Sequence, residues 1–301
     1  MRCGNILGYT GFQFWVIKKN EVMILSLIMS IFMGFVQGVA EFLPISSSGH
    51  LTLLQLFFGV KEVDNLFNIL LHFATLLAVC VVYWKDIVEM VVEFFRGIAS
   101  LFSGHGSRES RPPTARRLVL MLIVGTLPLF VVLPLEGVVE QLGNYPAAVS
   151  VMLILTGFIL FFSDRLGGGR KNARTATMKD ALLVGIAQGV ATIPGISRSG
   201  STISAGMLLG FDRKFAVRYS FLLSMPAVLG ATLLKVVKAV GEGVDTSLLP
   251  NYLAGMVVAG VVGYFSIQLV RLLASKGKFG NFAYYCWIVG VVSLVAGFIV
   301  L

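Results

Sequence analysis

Long apolar blocks separated by short polar breaks dominate the chain, the clearest covering residues 23–41, 66–84, 118–135, 147–163, 216–237, 253–273 and 282–301. Each approaches or exceeds the roughly 20 helical residues that cross a hydrocarbon core of about 30 Å. Shorter apolar pieces at 51–60, 181–193 and 203–211 fall short of that thickness and are predicted to be half-helices that enter and turn back. The pattern also repeats. GFVQGVAEFLPISSSGH at 34–50 recurs as GIAQGVATIPGISRSGS at 185–201, an offset of 151 (185 − 34), with nine of seventeen positions identical. Each copy reads as a small-residue helix that breaks at Pro, Ser and Gly and then resumes.

Composition agrees with the periodicity. The 301 residues are 56% hydrophobic and 13% charged, with mean hydropathy +0.87, which excludes a soluble domain of useful size and indicates a polytopic membrane protein. The net charge of +9 does not imply nucleic-acid binding, because the cations sit in short loops between apolar blocks. Cys3, Cys80 and Cys286 have no metal or disulfide spacing. Residues 1–22 form an N-terminal extension with Lys18 and Lys19 before an apolar block. That block carries the first repeat copy, so it is expected to be retained rather than cleaved. A single integral-membrane domain over 23–301 is expected, with repeat one at about 23–163 and repeat two at about 180–301.

Charge sets the expected topology. Residues 85–117 hold six Lys/Arg and 165–179 hold five, whereas 136–146 and 239–249 hold acids and no base. The first two therefore face the cytoplasm and the last two the outside of the cell membrane. Three spans between the copies invert the second relative to the first, provided each copy is itself a re-entrant hairpin. The expectation is an all-α inverted repeat of six transmembrane helices plus two re-entrant pairs, with the broken tips meeting near the midplane. Residues 103–113 read as an unstructured cytoplasmic loop.

Chemistry concentrates in the tips. Gln37 and Glu41 are four apart and share a helix face. A carboxylate at membrane depth costs about 2.5–3.5 kcal/mol on insertion scales, so Glu41 needs a partner, a metal or water. Carboxylate and amide oxygens suit a hard divalent cation, Mg²⁺ or Ca²⁺. In Ser46-Ser47-Ser48-Gly49-His50 one or two hydroxyls are expected as N-caps, and His50, three residues from Ser47, is placed for a hydroxyl–imidazole pair. The second copy has Arg198 where the first has Ser47. Flanked by Ser197, Ser199, Ser201 and Thr202, it is either a phosphate clamp or a buried partner for Glu41. Gln188, the repeat mate of Gln37, joins Ser46, Ser48, Ser197, Ser199 and Thr202 as a substrate-binding candidate. His72, inside a span, reads as structural. The glycines at 34, 38, 185 and 189 match small-xxx-small helix packing.

These two motifs together resemble the bacitracin-resistance type of undecaprenyl-diphosphate phosphatase, over about residue 23 to the C-terminus. The family's first motif falls on Gln37, Glu41, Pro44, Ser46, Ser47, Ser48, Gly49 and His50, and its second on residues 194–200 with Thr202 beyond. The resemblance implies an integral-membrane hydrolase that removes the terminal phosphate of a polyprenyl diphosphate at the outer face, needs a divalent cation and confers bacitracin resistance. It departs at Gln37, where many relatives have Glu, so one anionic metal ligand is missing. The expected mechanism has Ser47 attacking phosphorus, His50 as its base, Arg198 neutralising charge and Glu41 with Gln37 holding the cation; His50 or a metal-bound water are alternative nucleophiles. A transporter or flippase of an anionic lipid is the rival, because broken inverted repeats are also a carrier design. Expected partners are the lipid substrate and membrane lipids; oligomeric state is left open.

Overall fold

The computed structural model describes residues 27–58, 65–102, 114–242 and 248–300, so the N-terminal extension and the loop predicted at 103–113 lie outside the described residues. The described residues form twelve α-helices and no strand. They are α1 (Leu27–Ala40), α2 (Ser47–Phe58), α3 (Asn65–Val82), α4 (Trp84–Phe102), α5 (Thr114–Val132), α6 (Glu136–Gly143), α7 (Pro146–Leu166), α8 (Met178–Val190), α9 (Arg198–Leu208), α10 (Arg213–Glu242), α11 (Leu249–Ser275) and α12 (Phe282–Val300). The protein is an all-α polytopic membrane protein. Among the described residues, five helical segments are long and apolar enough to cross a bilayer: Thr114–Leu135, Pro146–Leu166, Arg213–Leu234, Leu249–Ser275 and Phe279–Ile299. Their outward faces carry bare Phe130, Val131 and Phe298, which suits lipid rather than water. By contrast α2, α8 and α9, at 12, 13 and 11 residues, extend only about 17–20 Å.

The sixth expected span departs from its prediction at its end. Helix α3 stops at Val82, and α4 leaves it at 87° where a basic loop was expected from Lys85. Asp86, Glu89, Glu93 and Arg96 recur at helical spacing, while Val88, Val91, Val92 and Phe95 leave an apolar face exposed. Such a helix is built to lie along a bilayer surface. Glu93 ties it to α5 by accepting from Arg116 at 3.1 Å. The short α6 follows a single 3₁₀ turn at Leu133–Leu135, in a stretch with no apolar run of its own.

Packing pairs the halves crosswise. Helix α8 lies on α5, where a Cβ at Gly185 would stand 2.2 Å from the Gly125 carbonyl oxygen. Its repeat mate Gly34 on α1 meets the Gly255 carbonyl of α11 at the same distance. Equivalent glycines therefore let equivalent helices approach a helix of the other half, and α7 packs on α12. Deeper in, Phe42, Phe221 and Tyr83 stand in a buried row, with ring centroids 5.4 Å apart for the first pair and 6.4 Å for the second.

Candidate active site

The two breaks are capped alike. Ser46 Oγ accepts from Gly49 N at 3.2 Å to cap α2, and its mate Ser197 accepts from Gly200 N at 3.1 Å to cap α9. Both hydroxyls are buried and occupied. The backbone turns differ: copy one places Ser46 at φ 70°, whereas copy two uses Gly195 at φ 95°, its backbone pressed against Val149 of α7. A serine in the left-handed region is strained, and it lies one residue before Ser47.

These caps bring the tips into contact. A side chain on Gly49 would sit 3.0 Å from the Gly195 Cα. Ser46 donates weakly to the Ile196 carbonyl and Ser199 to the Leu43 carbonyl, both at 3.4 Å. At the centre is Glu41, just past the end of α1. One carboxylate oxygen accepts from the Arg198 guanidinium. The other accepts from Ser47 Oγ at 2.7 Å and Gln37 Nε2 at 3.1 Å. His72 Nε2 stands 3.6 Å from that second oxygen. The imidazole read from sequence as structural is thus a neighbour of the carboxylate. Only the fold of α3 against the tip reveals this, because no local spacing links residues 41 and 72. Thr192, which replaces Glu41 in copy two, merely donates back to its own helix at Gly189.

His50 faces elsewhere. Its Nδ1–H donates to the Ser46 carbonyl at 2.8 Å, which leaves Nε2 to accept from the Tyr285 hydroxyl of α12, also at 2.8 Å, with the rings stacked. The expected Ser47–His50 pair is therefore replaced by Ser47–Glu41 and His50–Tyr285, because His50 projects from α2 toward α12 while Ser47 turns toward the end of α1. Among the other candidates, Ser48 Oγ lies 3.4 Å from Ser46 Oγ. Thr202 shares a 2.6 Å hydroxyl contact with Ser220 of α10. Gln188 is buried in α8, and neither of its amide atoms has a hydrogen-bond partner among the described residues. The space beside the Glu41–Arg198 pair is about 10 Å³, room for about one water.

One further atom bears on metal binding. Gln37 Oε1 is buried and has no partner among the described residues, although its amide nitrogen is committed to Glu41. A free amide oxygen beside a carboxylate fits a hard cation completed by substrate oxygens and water. No group of three or more His, Cys, Asp or Glu residues able to hold a metal occurs among the described residues.

Comparison with known proteins places this arrangement. The family model described as bacitracin resistance protein BacA matches residues 30–292. A protein of Desulforapulum autotrophicum named undecaprenyl-diphosphatase is 41% identical over 279 residues, covering 91% of this chain and 100% of its own. Namesakes from Halothermothrix orenii and Methanosphaera stadtmanae are each 38% identical, covering 88% and 90% of this chain and 96% and 98% of their own. With the match running through both tips and nearly every helix, the chain belongs to the bacitracin resistance protein BacA family.

Proposed function

We propose that this protein is an integral-membrane phosphatase that hydrolyses undecaprenyl diphosphate to undecaprenyl phosphate and inorganic phosphate, recycling the lipid carrier and conferring bacitracin resistance. The observation that carries the reading is the junction of Ser47, Glu41 and Arg198, a hydroxyl, its proton acceptor and a guanidinium drawn from two separate tips. The diphosphate enters with its prenyl chain in lipid and takes over the Arg198 guanidinium, whose fork matches phosphate oxygens. Release of Arg198 leaves Glu41 free to accept the Ser47 proton. Ser47 Oγ bonds to the terminal phosphorus as the bridging P–O bond breaks, and undecaprenyl phosphate leaves. Water then attacks the phosphoserine, inorganic phosphate leaves as the Ser47 O–P bond breaks, and Glu41 returns its proton to Ser47 Oγ. Gln37 and Glu41 would hold a divalent cation, which when bound supplies positive charge to the phosphate oxygens. Backbone amides at the starts of α2 and α9 add dipolar stabilisation where charge accumulates.

The two copies are read as re-entrant hairpins of an inverted repeat, with the junction opening to the outer face of the cell membrane. The crosswise glycine contacts and the cation-rich loops support this arrangement. The test is release of inorganic phosphate from undecaprenyl diphosphate by purified protein. A pure carrier of the lipid would release none, and that result would sink the reading. Covalently trapped phosphate found on histidine, or on no residue, would remove Ser47 from its role.

A further inference from the structure

A cavity far larger than the space at this junction lies elsewhere among the described residues. It measures about 1260 Å³, above the roughly 300–1,000 Å³ of ordinary ligand pockets, and opens where α3 bends into α4, against the starts of α5 and α10 and the end of α11. Five cationic side chains line it: Lys85, Arg174, Lys214, Arg218 and Arg271. Its two carboxylates are already used. Asp86 accepts from Arg218 at 2.7 Å, and Asp212 Oδ2 caps α10 by accepting from Lys214 N at 3.1 Å and Phe215 N at 3.3 Å. Lys85, Arg174, Lys214 and Arg271 have no carboxylate partner among the described residues. Tyr83 contributes a buried ring to the wall, and the Arg271 guanidinium stands 5.7 Å from its centroid.

Position narrows the chemistry. The surface-lying α4 starts at the rim with Trp84, 63% exposed, a residue type that settles at the headgroup level of a bilayer. Guanidinium forks with ammonium groups form a donor set suited to phosphate. We infer that this cavity is a second anion site, which takes a phosphate group at headgroup level, carried either by a lipid or as the free ion. It is separate from the Glu41 junction, because Tyr83 and Phe221 stand between them.

The test uses the full chain in neutral detergent carrying Arg198→Ala, which removes the guanidinium of the junction. Inorganic phosphate is titrated by calorimetry into this protein and into the same protein with Lys214→Gln and Arg271→Gln. Both of those side chains are exposed, and elution volume and melting temperature verify folding. Lys214→Arg with Arg271→Lys is the charge-preserving control, and Lys85→Gln a second, single-site variant. In parallel, the proteins are placed in nanodiscs of phosphatidylcholine with a minority of phosphatidic acid, and retained lipids are counted by native mass spectrometry. The expected result is a loss of phosphate affinity of at least about tenfold on charge removal, restored in the control. Phosphatidic acid retained only by charge-intact protein assigns the site to a lipid headgroup. Phosphate binding without lipid retention assigns it to the free ion. Absence of both, or binding indifferent to charge removal, overturns the inference.

Discussion

Glu41 serves Arg198 and Ser47 at once, through different oxygens, and that division makes single substitutions informative. Glu41→Gln keeps the shape but removes the proton acceptor, so kcat should fall by about 10³ or more, as should Ser47→Ala. Arg198→Lys keeps a charge without the fork and should still lose about 10²–10³, read as kcat/KM for undecaprenyl diphosphate. Because His50 Nε2 already accepts from Tyr285, His50→Gln should retain more activity than Glu41→Gln, and steady-state rates of the two compared directly decide it. The reverse order would return the role of base to His50. At this scale the sequence exposes residues that are neighbours along a helix. Gln37 and Glu41 meet as their spacing of four requires, and Ser46 and Ser197 cap as serines at breaks do. It does not expose Ser47 turning to Glu41 or His72 approaching it, because those contacts depend on how the chain reverses after Ala40 and where α3 then passes.

Among the helices, glycine positions separate packing from propensity. A Cβ at Gly185 would stand 2.2 Å from the backbone oxygen of Gly125, which no side-chain adjustment relieves. Gly185→Ala should therefore cost at least about 1–3 kcal/mol, seen as a lower melting temperature in detergent, and Gly34→Ala should behave alike. Gly230 lies inside α10 with nothing within 4 Å, so Gly230→Ala should leave the melting temperature unchanged or raise it, by up to about 1 kcal/mol of helix propensity. Equal effects at the three sites would contradict the crosswise packing. The long apolar helices and the two broken pairs were legible in the hydropathy. Helix α4 was not, because a count of Lys and Arg over 85–117 hides the three-to-four spacing of Asp86, Glu89, Glu93 and Arg96. Examining that stretch for amphipathic period rather than for charge alone would have found it.

For the whole molecule, the sequence repeat is mirrored in the helix order, since one offset of 151 aligns α1 with α8 and α2 with α9. What it hid was the asymmetry: the left-handed residue shifts from Ser46 to Gly195, and the carboxylate has no counterpart. The proposed orientation predicts that in a variant lacking Cys3, Cys80 and Cys286, a cysteine at Gly137 reacts with an impermeant maleimide added to intact cells. A cysteine at Lys276 should react only after lysis, and labelling in the opposite sense would invert the assignment. The row of Phe42, Phe221 and Tyr83 has a consequence of its own. Phe42 and Phe221 line the space beside Glu41, and Tyr83 lines the basic cavity. Phe221 lines the space beside Glu41 and packs on Tyr83, which lines the basic cavity, so a truncated ring at residue 221 would disturb both spaces at once.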